Sequence, residues 1–191
     1  MIYPYHLYRG NMLKKLFDYF KHQIIYRYEI FHIRIINKIG YGGSGVTKEM
    51  RNYIYANILR NSIVVELGAG FVSTRFLRNR YVLWSVEEDA RYIGIQKDVN
   101  YIYAPIDSKT NWYKIKGEQL PSDFSLLLID GPSGSERRKN ILSCPWILNT
   151  PKTIIVDDTW RDSEMLLAKD LHVLLGGTLI CFENFSVIEK H

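Results

Sequence analysis

The chain has 191 residues, 47% apolar and 24% charged, with a formal net charge of +5. That length suits one globular domain with at most a small appendage, and that composition excludes wholesale disorder and fibrous repeats. No run of about 18 uncharged apolar residues is present, and the opening MIYPYHLYRG lacks the basic-then-apolar order of a signal peptide, so neither a membrane span nor secretion is indicated and a cytoplasmic protein is expected.

Taken in chain order, the front third is the basic part. Residues 1–60 carry ten Lys/Arg against three Asp/Glu, a net of +7, which leaves −2 on the other 131. The same stretch holds 12 of the 26 aromatic residues. Positive charge combined with large amphipathic side chains suits a polyanion or the inner face of a membrane, and residues 11–38 are the candidate contact. A helical packing stripe with a solvated basic side accounts for the same pattern. From Leu13 to about Lys38 the apolar residues recur at three and four positions without Pro or Gly, which predicts one long helix or two shorter ones. YGGSG at 41–45 breaks the pattern, dividing an N-terminal extension (1–45) from a main domain (46–191). Thr47 can cap a helix running to about Asn61.

From there strand and helix signals alternate. Strands are predicted at 62–67, 81–87, 100–106, 124–130 and 153–158, with a closing pair at 177–182 and 185–189 joined by a turn at Asn184. Helices are predicted at 72–79, 89–97, 135–142 and 161–175. Apolar strands separated by helices imply a parallel sheet covered on both faces, an α/β fold. The two cysteines, Cys144 and Cys181, have no Cys or His at ligand spacing, which argues against a disulfide framework or a zinc site; two buried, reduced thiols are expected.

VVELGAGFVST is the first motif. Gly68 and Gly70 allow the chain to turn sharply after the first strand and approach a ligand without Cβ interference. Glu87 ends the next strand 19 residues after Gly68, where a carboxylate can accept both hydroxyl hydrogens of a ribose, so the pair points to an adenosine-containing cofactor. The dinucleotide fingerprint calls for a third small residue, usually Gly, where this chain has Ser73. Glu66, just before the turn, would repel a pyrophosphate but can help hold a cationic amino-acid moiety. The charge logic favours a sulfonium cofactor.

Glu66-Leu67-Gly68-Ala69-Gly70 resembles motif I of the class I S-adenosylmethionine-dependent methyltransferases, and Glu87 in SVEED resembles their ribose-binding acidic residue. The resemblance covers roughly residues 45–191. It implies a Rossmann-like, seven-stranded, mostly parallel sheet with the last strand antiparallel. It also implies a cofactor site built from Glu66, Gly68, Ala69, Gly70, Ser73 and Glu87, with Asp107 flanking the adenine.

The second motif set is IDGPSGSERR and VDDTWRD. Asp130 ends the fourth strand, and Asp157 with Asp158 ends the fifth, so all three carboxylates are expected on the cofactor's rim of the sheet. Clustered carboxylates repel one another unless protonated, paired with cations or bound to a metal. Mg²⁺ or another divalent cation on Asp130, Asp157 and Asp158 is one solution, and it would acidify an acceptor hydroxyl. This version resembles the catechol-type and sugar-type metal-dependent O-methyltransferases. A second version resembles small enzymes that include the glucuronoxylan O-methyltransferases and needs no metal. There Asp130 or Asp157 is the general base, and Arg137, Arg138 or Arg161 neutralises the cluster or grips an anionic substrate.

No histidine lies in either loop, and the box typical of methyltransferases acting on base or amide nitrogen is replaced by Asp130-Gly131-Pro132, so oxygen is the better acceptor. The expectation is an S-adenosylmethionine-dependent O-methyltransferase acting on a sugar, glycan or other polyhydroxyl small molecule. The basic front segment would serve as a lid, a homodimer contact or a platform for a lipid-linked or anionic acceptor. RNA methylation, a non-catalytic role and an NAD-binding redox domain are the alternatives.

Overall fold

The computed structural model describes residues 46–191. The helix expected over 13–38, the extension assigned to 1–45 and the contact surface at 11–38 lie outside the described residues. The first described element is α1 (Lys48–Asn57), where the Thr47 hydroxyl accepts the Met50 amide proton at 3.1 Å. That bond satisfies one of the donors a helix start leaves open. The helix ends earlier than its pattern implies, because Ile58 is already extended and its apolar side chain joins the core beside Ile54.

After α1 the chain alternates strand and helix. It runs through β1 (Ile63–Leu67), α2 (Ser73–Arg78), β2 (Val82–Glu87) and β3 (Asn100–Tyr103). The short strands β4 (Ile106–Asp107) and β5 (Trp112–Tyr113) pair antiparallel as a separate hairpin. Then come β6 (Leu126–Ile129), α3 (Ser135–Arg138), α4 (Pro145–Leu148), β7 (Thr153–Asp157), α5 (Asp162–Leu175), β8 (Thr178–Cys181) and β9 (Phe185–Glu189). The main sheet has seven strands in the order β3-β2-β1-β6-β7-β9-β8. All neighbours are parallel except those of β9, the last strand, which runs antiparallel to both β7 and β8. This is the Rossmann-like architecture expected.

Side chains alternate across the sheet with period two. Val65, Leu67, Leu127, Ile129, Ile154 and Val156 face one core, which Leu167, Ala168 and Leu171 of α5 close. Val64, Leu126, Leu128 and Ile155 face the other, closed by Met50 and Ile54 of α1 with Phe76 and Leu77 of α2. Burial on both faces is why these strands read as continuous apolar runs rather than alternating ones.

Three local expectations are corrected. The segment 89–97 holds a single 3₁₀ turn, Ala90–Tyr92, capped by Asp89. The run expected as one strand over 100–106 divides at Ala104-Pro105, because proline offers no amide proton to a ladder, and the chain turns into the β4–β5 hairpin. Both cysteines are free, yet only Cys144 is buried; Cys181 is exposed on the edge strand β8.

Candidate functional site

The sheet order reverses on either side of β1, with β2 on one flank and β6 on the other. At such a switch point the connections diverge and leave a crevice at the carboxyl ends of the strands. The loop after β1 lies at this place. Gly68 has a φ of +92°, and its amide donates to Val86 of β2 at 2.8 Å. A Cβ on Gly68 would stand 2.7 Å from the Gly131 nitrogen, so the loops after β1 and β6 cross in backbone contact. Gly70 is less constrained: a Cβ there would stand 2.7 Å from the Ser73 hydroxyl oxygen, the end of a side chain that can turn, and not against backbone.

Glu87 ties the crevice together. One carboxylate oxygen accepts the Ala69 amide proton and the other accepts that of Asp89, each at 2.7 Å. Burial, opposed by these two amides and reinforced by the neighbouring Glu88, pushes its carboxyl up to about 7. Each oxygen keeps a second lone pair, so the group can still accept from a ligand hydroxyl. Glu88, which sequence reasoning did not single out, accepts the Ser133 amide proton at 2.7 Å and thereby holds the loop after β6. Burial raises its pKa, but the bonds from Ser133 outweigh that and the net shift is downward.

Glu66 sits beneath this layer. It is fully buried, and one of its oxygens accepts from the Thr74 and Ser85 hydroxyls, each at 2.7 Å. Its place is under the glycine loop, joining β1, β2 and α2, and burial pushes it up to about 7. Ser73 is likewise buried, at the start of α2. Asp107 spends one carboxylate oxygen on the Lys109 and Thr110 amides, at 2.7 and 3.3 Å, and so closes the β4–β5 turn.

The acidic residues of the second motif set gather at the ends of β6 and β7, around an arginine. Arg138 is 6% exposed. Its guanidinium lies 3.5 Å from Asp130, 3.5 Å from Asp158 and 3.6 Å from Glu164, and it donates to the Asp130 carbonyl. Arg161 adds a second cation at the mouth, 3.1 Å from Asp158 and 3.9 Å from Glu164, with its guanidinium over the Trp160 ring. Asp158 has a φ of +61°, a backbone state that aspartate tolerates better than most residues. Trp160 donates its indole proton to Asp158 at 3.3 Å.

This arrangement corrects the metal expectation. Among the described residues no three metal-ligating side chains converge, and the guanidinium of Arg138 stands among the carboxylates in place of a divalent ion. The residues present do not fit a Mg²⁺ site. Arg138, expected as a substrate contact or as the cation that neutralises the cluster, is buried among Asp130, Asp158 and Glu164. Arg137 lies at the surface, donating to the Ser133 carbonyl at 3.3 Å. Glu164, buried on α5 beneath Arg138, was missed; its only trace in the sequence is its spacing of three from Arg161 at a helix start.

The carboxylates differ in proton affinity. Asp130, with its side chain 23% exposed, is pushed up to about 6 by desolvation, which Arg138 moderates. Asp157 is 4% exposed and is pushed up to about 8 by desolvation and by the charge of Asp130. Both carboxyls thus bind a proton more readily than a free aspartate.

No protein-family model matches the chain, and no curated protein matches it. Solved structures do. A candidate rRNA methylase from Clostridium thermocellum aligns with a TM-score of 0.51 at 14% identity, over 78% of this chain and 99% of its own. The likeness is one of fold. A TehB-like SAM-dependent methyltransferase from Corynebacterium glutamicum gives 0.49 at 14% identity, over 86% and 97%. Magnesium protoporphyrin IX methyltransferase from Synechocystis gives 0.43 at 10% identity, over 74% and 75%.

Proposed function

We propose that the chain is an S-adenosylmethionine-dependent O-methyltransferase acting on a hydroxyl of a sugar, glycan or other polyhydroxyl small molecule. The observation that carries this reading is the position of Asp130. Its amide is bonded to Leu67 of β1 at 2.9 Å and the next residue crosses Gly68, so its backbone lies against the glycine loop while its carboxylate faces Arg138. The loop fits the cofactor in kind: the absence of a Cβ at Gly68 lets the loops after β1 and β6 meet at the sheet's carboxyl edge, and Glu87 retains lone pairs for a ribose. S-adenosylmethionine, when bound, supplies an activated methyl group and its leaving group.

The protein's own work is alignment and proton removal. Asp130 is the proton acceptor, because it stands at the end of β6 beside the glycine loop's crossing and desolvation raises its proton affinity toward that which suits a general base. Asp157 is more deeply buried, and desolvation together with the charge of Asp130 raises its carboxyl, so it gives up its proton less readily. Arg138 holds Asp130 in place, and the half-exposed Arg161 offers a charge at the mouth for an anionic group on the acceptor. Cytoplasmic residence and a peripheral contact through residues 11–38 belong to the same proposal; among the described residues no helix is long and apolar enough to cross a membrane.

The test pairs binding with turnover. S-adenosylhomocysteine is expected to bind in calorimetry while NAD does not, and release of S-adenosylhomocysteine is followed against a panel of sugars and acidic glycans. Asp130→Asn should retain cofactor binding and lose turnover by about 100-fold or more, the usual scale of a general base. Unchanged turnover in Asp130→Asn would overturn its role, and methylation of RNA with no activity on sugars would replace the acceptor class.

A further inference from the structure

A groove of about 680 Å³ opens beside the β4–β5 hairpin, between it and the segment 140–146. It shares no lining residue with the loops at 68–70, 87–89 or 130–134. Its walls are fixed by local contacts. The Asn140 side-chain amide donates to the Asn111 carbonyl at 3.0 Å, which ties the helical segment to the hairpin turn. Gly117 lies against the Trp146 indole so closely that a Cβ would stand 3.3 Å from the ring, and Trp146 remains 38% exposed. Trp112 and Tyr113 form the floor, edge to face with ring centroids 5.1 Å apart, and the Tyr113 hydroxyl abuts Gly131.

The lining has a definite chemistry. Lys114 and Lys116 supply two cations; Lys116 stands 3.8 Å from exposed Glu118, and Lys114 has no carboxylate partner among the described residues. The lone acid, Asp107, already uses an oxygen on its own turn. Gln119, Asn140 and Ser143 add neutral groups able to donate and accept. An indole face, neutral hydrogen-bonding groups and two cations are what a sugar ring bearing an anionic group requires: its C–H face packs on the indole, its hydroxyls meet the amides, and its charge meets the lysines. The volume lies within the range of small-molecule sites, about 300–1,000 Å³.

We infer that this groove is a second ligand site, for a sugar ring carrying a carboxylate or a phosphate. It goes beyond the methyl-transfer reading: of its lining residues only Asp107 is expected near the methyl donor, flanking the adenine, and one of its oxygens is held by the Lys109 and Thr110 amides. On its far side, the Tyr113 floor of the groove abuts Gly131.

Titration of the full chain with glucuronate, glucose 6-phosphate and neutral glucose, read by tryptophan fluorescence and by calorimetry, tests the site. Saturable binding of an acidic sugar and markedly weaker binding of glucose is the expected result, and comparison of the two acidic sugars tells carboxylate from phosphate. Lys114→Ala and Trp146→Ala should each weaken that binding by about tenfold, the loss of one good contact. Both residues are exposed, and unchanged circular dichroism together with unchanged S-adenosylhomocysteine binding shows that the variants fold. Equal binding of glucose and the acidic sugars, no saturable binding, or full affinity in Lys114→Ala overturns the groove. Acidic-sugar binding without S-adenosylhomocysteine binding leaves the groove standing and removes the methyltransferase reading; the converse removes the groove alone.

Discussion

Gly68 and Gly131 lie backbone against backbone although 63 positions separate them: a Cβ on Gly131 would stand 2.7 Å from the Gly68 Cα, as one on Gly68 would from the Gly131 nitrogen. The crossing brings the cofactor loop and the Asp130 loop to one place. A methyl group at either position forces the loops apart. Gly131→Ala is expected to cost on the order of 1–3 kcal/mol in urea unfolding, the usual scale of overpacking, and to weaken S-adenosylhomocysteine binding in parallel. A wild-type midpoint with wild-type binding would show that the crossing is looser than described.

Glu87→Gln removes the charge; its amide oxygen can still accept from Ala69, but its NH₂ cannot accept from Asp89, so that one backbone bond is lost as well. Loss of the negative charge should weaken S-adenosylhomocysteine by roughly tenfold, in line with one charge-assisted hydrogen bond. If calorimetry shows equal affinity, Glu87 holds the loop and does not meet the ribose.

Arg138→Met leaves Asp130, Asp158 and Glu164 without their shared cation. Breaking a buried ion pair from one side costs about 3–5 kcal/mol, so this variant should unfold at much lower urea than the wild type. Arg138→Lys restores charge without the planar fork and should recover only part of the loss. Chelation is expected to leave the stability and turnover of the wild type unchanged, and a chelator-sensitive rate would restore the metal reading.

Stability should fall as pH rises from about 5 to 8. Asp157 is pushed up to about 8 and Asp130 to about 6, both above the ordinary aspartate value of 3.8. Between the unfolded and folded values the native state binds more protons than the unfolded chain, so unfolding free energy decreases with pH and levels off above the folded value. Glu66 and Glu87, each pushed up to about 7, add to the same slope, so Asp157→Asn should flatten only part of it in melts taken across the range. Turnover should move oppositely, rising through about pH 6 as Asp130 loses its proton, and a rate that falls through that window would exclude it as the base.

The sequence by itself determined the order of elements and the doubly covered sheet, because runs such as IVVEL, LLLI and TIIVD bury both faces and leave no other period available. It also marked the glycine turn, Glu87 and the three aspartates, since glycine spacing and acids at strand ends are local signals. It could not say that Arg138 rather than a metal balances those aspartates, that Glu66 lies under the loop, or that Glu88 and Glu164 brace it. Those facts depend on which groups from β1, β2, β6 and α5 meet across the sheet end. Burial and charge pairing there are properties of distance in space, and strand crossing alone sets that distance.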